Sequence, residues 1–582
     1  MLDTTNEFRE RTQPGRRARK TVLGVLAASI ALGLIGAAFF AGFQVSHREL
    51  PTNTFFTKVD RKLEEVYRRA AGPKVIAPKT YPTHLLRLAS AVATVDFGAG
   101  LANQKRQHGG GMVQLGEDTL LLTHTGQIFA FSGPGDVRPT AVTAPSNGRA
   151  ALAALEDDPA YSDYLIDPPF LRYNDLKIAD TTDGRALIAS YTHFDGEAAC
   201  YRNRLAKLPL PAGATADTLR AGPDDWTILA DTDPCLPLKQ KYLSLEGHMA
   251  GGRIAIDGST IYLVSSDFHL DGMRSDGPPV AQDDAMEYGK VLAIDANTGE
   301  TRVITTGNRN MQGITFAGDD LYIIEHGPLG GDELNRVIEG TNYGWPRESF
   351  GLTYQATPIP GALSYGRHDT YEAPVFAWVP AIAPSDLTTV APGFHDAWEG
   401  DLLIATLKDT ALHRVRVQDG RGVYAERIEI GSRLRAVHQA GDTLVLWTDA
   451  FELIFLTASD LPNLEASFDA FTEVAALGSQ EAASLRTAVE TCAQCHSFVV
   501  DDHVRAPSLA KIHNDPLGAT TYAGTSAALR SAGGTWTGER LAAYIADPQA
   551  TVPGTIMPDP GVDDPDTIAR LVDYLAHLDR QF

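Results

Sequence analysis

The sequence predicts three folds in one chain: an all-β six-bladed propeller, an all-α domain after it, and one transmembrane helix ahead of both. Three observations predict this. A turn followed by an apolar strand recurs six times between residues 118 and 456, a long uncharged run lies near the amino terminus, and the last hundred residues turn Ala-rich with helical spacing of apolar positions. The chain has 582 residues, 43% of them apolar and 21% charged, which is globular composition with room for more than one core. Its net charge of −23 repels phosphate backbones and argues against nucleic acid as a partner.

In chain order, residues 21–46 carry no charge, and 26 apolar-rich residues exceed the roughly 20 needed to cross a bilayer. Arg9, Arg11, Arg16, Arg17, Arg19 and Lys20 flank them and hold residues 1–20 in the cytoplasm. The chain is then a single-pass inner-membrane protein with its bulk in the periplasm. A cleaved signal peptide is the competing reading, but the run is longer than an h-region of about 7 to 15 residues and no A-x-A site follows. Residues 47–84 form a juxtamembrane linker, with Phe55, Val59, Leu63, Val66 and Tyr67 at helical spacing.

From 85 to 460 short β-type runs are punctuated by Gly, Asp and Pro. If Leu120, Ala186, Ile261, Leu321, Leu402 and Leu444 are equivalent points, their spacings are 66, 75, 60, 81 and 42, each enough for a four-stranded blade plus loops. Uneven spacing favours a propeller with variable loops over a strict solenoid, and an eight-stranded sandwich pair is the alternative. Such a fold gathers its loops around a central funnel. Cys200 and Cys235 lie in this region without metal-type spacing, and in an oxidising compartment they are expected to form a disulfide, two buried thiols being the alternative.

Residues 475–582 contain Thr491-Cys492-Ala493-Gln494-Cys495-His496, and C-x-x-C-H is the attachment signature of haem c: two thiols add to the vinyl groups and His496 ligates the iron. A zinc half-site lacks a second pair of ligands here, and a thioredoxin-type motif lacks its βαβ context. Met557, in the Pro-flanked stretch VPGTIMP, supplies the second axial ligand, since only Met311 and Met557 lie beyond residue 300. Helices are expected over 480–490, over 537–545, and from Pro565 to Leu578 with Asp564 as N-cap. The segment resembles a class I cytochrome c.

Several stretches of the middle region resemble the pyrroloquinoline quinone (PQQ) dependent soluble glucose and aldose sugar dehydrogenases, which are six-bladed propellers. The most specific is GNRNMQGITF followed by IIEHGPLGGDELNRVIEGTNYGWP, within 307–346. The resemblance implies that Arg309 and Asn310 contact PQQ, that the carbonyls of Gly327 and Pro328 hold calcium, and that Glu333 and Tyr343 form a further calcium site. GHMAGGRIAID assigns the catalytic base to His248, an imidazole suited to taking a hydroxyl proton near neutral pH. Lys408, Arg433 and Arg435 match positions that pair with the cofactor's carboxylates and quinone oxygens. The chain departs from the family twice: no Gln-Gly-Leu segment lies between 147 and 175, and Ala436 stands where Asp is common.

The implied activity is oxidation of an aldose or related sugar or aldehyde through PQQ, with electrons passing to the chain's own haem and then to a respiratory acceptor such as a cytochrome c or terminal oxidase. The alternative is a propeller without PQQ that binds a ligand or protein beside an electron-transfer cytochrome. His108-Gly109-Gly110-Gly111 imitates an esterase oxyanion turn, but no G-x-S-x-G exists, so a loop over the funnel is expected there. No nucleotide-binding fingerprint appears, and the acidic stretch 274–287 reads as a solvated loop.

Overall fold

A computed structural model describes residues 80–582 apart from 84, 97–108, 157, 162–169, 240–244, 246, 274, 276, 461–463, 500–504, 521, 581 and 582. The expected transmembrane segment 21–46 and the helically spaced residues Phe55 to Tyr67 of the juxtamembrane linker lie outside the described residues, among which no helix is long and apolar enough to cross a membrane.

Six sheets, antiparallel except for the short edge strand Arg220–Ala221 of the first, form a closed ring. Their inner strands are Gly110–Leu115, Tyr173–Thr181, Gly251–Asp257, Asn310–Ala317, Pro384–Thr389 and Leu434–Ala440, and each packs beside the next, the sixth returning to the first. The six points taken as equivalent in the sequence all fall on the second strands of the blades: Asp118–Thr123, Gly184–Asp195, Thr260–Ser265, Asp320–His326, Leu402–Thr406 and Thr443–Thr448. The blade position explains why those runs were visible. A second strand has a neighbouring blade on both faces, so Leu402–Thr406 is buried throughout, whereas the outer strand Arg421–Glu429 alternates between exposed and shielded positions. The sixth blade takes its outer strand from the start of the propeller: Leu86–Thr94 pairs antiparallel with Glu452–Asp460. That pairing closes the ring and removes the free edge.

Between each pair of blades lies one apolar cluster, such as Leu120, Leu122, Leu187 and Tyr191 between the first and second, and Met112, Phe131, Trp447 and Phe455 between the sixth and first. Burying each such side chain stabilises the ring by about 1.5–3 kcal/mol. The channel they surround is polar and is plugged by Arg253, 5% exposed, on the inner strand of the third blade. Its Nη1 donates to the carbonyls of Gly110 (2.7 Å) and Asn174 (3.2 Å), and its Nη2 to those of Ser385 (3.1 Å) and Arg435 (2.6 Å). It faces the carboxylates of Asp386 at 3.4 Å and Asp175 at 3.7 Å. One side chain thus ties five of the six inner strands.

Two expectations need correcting. Gly110 and Gly111 begin the inner strand of the first blade rather than a loop over the funnel. A Cβ on Gly110 would meet the Leu122 carbonyl at 2.2 Å, and one on Gly111 the Asp175 carboxylate at 2.0 Å, so close packing demands glycine there. The acidic stretch 274–287 is only partly solvated: Ser275, Val280 and Ala281 are buried, and Lys290 beneath it donates to the carbonyls of Val280, Asp283 and Tyr288.

The helical part begins at Leu464–Val474, ahead of the expected start at 475, because Phe468 and Phe471 pack on Tyr574 of the last helix. Ser479–Ala493, Gly538–Ala546 and Pro565–Asp579 are the three expected helices, and Asp564 caps the last by accepting from the Thr567 amide at 2.9 Å. They share one core of Leu485, Trp536, Leu541, Leu571 and Leu575 among others.

Candidate functional site

In five of the six blades the inner strand pairs with its second strand so that the first residue of one lies beside the last of the other, as in Asn310 with His326, Gly251 with Ser265 and Leu434 with Thr448, and in the second blade Tyr173 lies beside Tyr191, four residues before that strand ends. Residues just before inner strands and just after second strands therefore meet on one face of the ring. His248, Arg309, Gly327, Pro328, Lys408 and Arg433 occupy such positions, and Asn310 and Arg435 are the first and second residues of their inner strands. Sequence-distant residues predicted to work together are brought to one face.

That face is cationic. Arg435 and Arg433 both bind Asp449, the latter through Nε at 2.7 Å. Burial alone would raise the Asp449 pKa, but the two guanidiniums outweigh it and hold the carboxyl below its usual range. Burial lowers the pKa of Arg435, and it lowers that of Arg172 to about 9 with Arg435 and Arg253 adding repulsion. His124 beside them is driven down to about 3 by burial and by Arg149, Arg435 and Arg172. Lys408 is exposed. The Nε of Arg309 is buried with no hydrogen-bond partner among the described residues. Positive charge here exceeds what Asp449 can balance, which is the environment a multiply charged carboxylate needs. The residues present fit PQQ in that respect. Ala436 lies off this site, buried against Trp447 and Met112 between blades, so its departure from the family falls in the core.

His248 sits exposed in the short turn Gly247–Met249 that leads into the third blade. Its ring lies 5.1 Å from Phe170 and 5.6 Å, edge to face, from His269. The turn is pinned from the second blade by Arg172, whose Nη2 donates to the Gly247 carbonyl at 2.6 Å. Behind it, Asp267 accepts from the Trp345 indole at 2.8 Å and from the His269 amide at 2.9 Å, and burial raises its pKa to about 7 against the pull of Arg309. Arg309 stacks over Trp345 at 5.0 Å and donates from Nη1 to the His326 carbonyl at 2.8 Å. Asn310 accepts from Gln312 at 2.6 Å. Sequence reasoning missed Arg172, Asp267, His269, Trp345 and Asp449: the first four meet partners from another blade, and Asp449, in the same blade as its two arginines, lies 16 and 14 residues from them, so no short spacing joins any of these pairs.

Gly327 follows the second strand of the fourth blade. Asp332 fixes its loop, accepting from the Gly327 amide at 2.9 Å with one oxygen and from the Ile382 and Ala383 amides at 2.7 Å with the other. A Cβ on Gly327 would come within 2.1 and 2.3 Å of the Gly330 and Gly331 carbonyls, so peptide oxygens crowd this turn. Glu333 and Tyr343 line one pocket together with Glu325, Glu348 and Trp345. Their polar atoms are directed elsewhere, however. The Tyr343 hydroxyl donates to the Arg336 carbonyl and accepts from the Ile338 amide, and Glu333 faces His368 at 3.5 Å. Among the described residues no group of three or more His, Cys, Asp or Glu side chains is arranged to hold a metal ion.

Cys200 and Cys235 are disulfide-bonded, with Cα atoms 5.6 Å apart. Cys492 and Cys495 are not disulfide-bonded, and both are half-buried. His496 Nδ1 lies 2.6 Å from the Pro507 carbonyl. A carbonyl only accepts, so Nδ1 carries the proton and Nε2 keeps its lone pair for a metal. Cys492 and Met557 pack on the edge of the same core. The Met557 loop is tied down: Gln549 donates to the Thr555 carbonyl at 2.7 Å, and the Thr555 and Tyr544 hydroxyls meet at 2.5 Å. This donor set fits a covalently attached haem.

Residues 238–452 match the family model described as glucose/sorbosone dehydrogenase. Over 214 residues the chain is 29% identical to an aldose sugar dehydrogenase of Escherichia coli, covering 34% of this chain and 56% of that protein. The chain spans about half the length of the first curated relatives it matches. A second similarity covers 15% of the chain and 90% of a cytochrome c2 of Magnetospirillum molischianum, at 31% identity over 87 residues. Among solved structures, a glucose dehydrogenase aligns over 64% of this chain and all of its own, with 20% identity and a TM-score of 0.48.

Proposed function

Over residues 238–452 the chain belongs to the glucose/sorbosone dehydrogenase family and over a shorter stretch to the cytochromes c, and from that premise we propose that it is a periplasmic quinohaemoprotein dehydrogenase. It oxidises an aldose or related sugar or aldehyde with PQQ and calcium in the propeller funnel, and delivers the electrons to haem c in the helical domain of the same chain. Residues 21–46 hold it at the inner membrane, near a cytochrome c or terminal oxidase that accepts those electrons. The observation that carries this reading is a single face of the ring that bears an exposed imidazole, His248, together with Arg172, Arg309, Arg433, Arg435 and Lys408, with Asp449 as the carboxylate between two of these cations.

PQQ, when bound, supplies a two-electron acceptor. Arg309, Asn310, Lys408, Arg433 and Arg435 would hold its carboxylates and oxygens, and the carbonyls of Gly327 and Pro328 would hold calcium, while Glu333 and Tyr343, bound to His368 and to the chain's own backbone, do not form a further cation site. His248 takes the proton of the substrate hydroxyl, a task for which an imidazole is matched near neutral pH. Asp449 holds Arg433 and Arg435 at fixed spacing, so their donors are oriented before any ligand arrives. Haem, attached through Cys492 and Cys495, would supply a one-electron acceptor, and His496 Nε2 and the Met557 sulfur would hold its iron. Joining donor and relay in one chain raises their effective concentration.

The test is haem absorbance of the purified haem-bearing protein, reconstituted with calcium and PQQ and mixed anaerobically with a panel of aldoses. Haem reduction that requires both PQQ and sugar and is lost in His248→Ala supports the reading. Absence of PQQ binding together with absence of haem reduction by any sugar overturns it.

A further inference from the structure

We infer that His269 is a positioning residue that couples the base to the quinone-facing arginine, an inference that rests on the function proposed above. Its Nε2 lies 3.3 Å from Arg309 Nη2. A guanidinium only donates, so this nitrogen accepts, the proton of the neutral ring sits on Nδ1, and a second proton would stand against the arginine's charge. The same ring packs edge to face with His248 at 5.6 Å. One 5% exposed side chain therefore touches both groups.

The backbone is built to bring it there. Phe268 and His269 both adopt left-handed φ, 50° and 62°, a conformation that non-glycine residues rarely take twice in succession. Asp267 holds the turn by accepting from the His269 amide, and the Leu270 amide donates to the Asp267 carbonyl at 2.7 Å. Phe268 is fully buried between Tyr201 and Tyr288, at 5.2 and 5.7 Å, which anchors the turn from behind. The ring of contacts then closes: Asp267 holds Trp345, Trp345 underlies Arg309, and Arg309 reaches His269. His269 fixes the Arg309 fork and forms one wall of the His248 ring, so base and cofactor site keep a set separation when substrate enters.

Three readouts test this in the haem-bearing protein. In His269→Ala, equilibrium titration with PQQ, followed by tryptophan fluorescence, should give a Kd raised about tenfold, and His269→Gln, whose amide oxygen can still accept from Arg309, should recover most of it. Without cofactor, carbethoxylation of His248 by diethyl pyrocarbonate, resolved by peptide mass spectrometry, should run several-fold faster in both variants because the wall is gone. With cofactor and sugar, kcat should fall in both variants while the sugar KM moves less than twofold. Unchanged His248 reactivity in both variants overturns the inference, as does an unchanged PQQ Kd in His269→Ala. If wild-type protein binds no PQQ, the proposed function fails, and the His248 reactivity alone then decides whether His269 positions that ring. Should His269→Ala not fold, His269→Gln carries the reactivity and kcat tests.

Discussion

Replacing Arg253 by Ala should cost the propeller about 4 kcal/mol, and the structure shows why the figure is neither smaller nor much larger. The substitution removes the donors to four carbonyls on four other inner strands and leaves Asp175 and Asp386 without their shared cation. Breaking a buried ion pair from one side costs about 3–5 kcal/mol. The carbonyl bonds add less than their gross strength, because the space vacated in a polar channel admits water. Asp386 also limits the loss, since burial already raises its pKa and it can take a proton once Arg253 is gone. At about 2 °C per kcal/mol, the low end for large domains, the propeller's melting temperature should drop by about 8 °C. The assay is thermal unfolding followed by the far-ultraviolet β signal, with the haem absorbance as an internal control that should not move. Arg253→Lys, which keeps the charge but loses the fork, should fall between. A melting temperature within about 1 °C of wild type in Arg253→Ala would refute the claim that this side chain ties the blades together.

Met557→Ala should leave haem attached, because attachment uses Cys492 and Cys495, but should abolish the weak sulfur-to-iron absorption of the oxidised protein; its persistence would name another ligand. Cys200→Ser should destabilise the second blade by roughly 4 kcal/mol, from a sequence separation of 35 in the disulfide loop, and denaturant unfolding of the oxidised proteins measures it. Asp449 has its pKa lowered in the folded state, so its stabilisation is present above the unfolded carboxylate value near 4 and is lost as pH falls through the lower folded value. The melting-temperature gap between wild type and Asp449→Asn should therefore narrow below about pH 4, and a gap that stays constant down to pH 2 would remove the ion pair as its cause.

How far the sequence could be read follows from where each strand sits. Second strands lie between two blades and become unbroken apolar runs, so Leu120, Ile261 and Leu444 announced the blade count. Inner strands turn one face to a polar channel, and their mixed patterns hid Arg253, whose partners come from sequence separations of 79 to 182 residues. The C-x-x-C-H signal stood out in the sequence because covalent haem attachment requires two thiols and a histidine at fixed local spacing. Most groups around His248 did not, since His269 and Trp345 meet Arg309 from separate loops and individually resemble ordinary core residues. Glu333 and Tyr343 show the opposite case: family likeness paired them, while the folded chain sends the tyrosine hydroxyl to its own backbone.

The closure of the sixth blade also has a mechanical side. Leu86 stands opposite Asp460 and Thr94 opposite Glu452, so the chain arrives and departs at the same end of this strand pair, with Thr80–Pro82 folded back along it. Tension between whatever holds the upstream segment and the helical domain downstream would not shear all nine rungs at once. It would first peel the three rungs of the folded-back strand and then unzip the pair from its open end, one rung at a time. The ring's weakest point under load is thus its own clasp, and a pull there would open the sixth blade while the other five stay laced by their own loops.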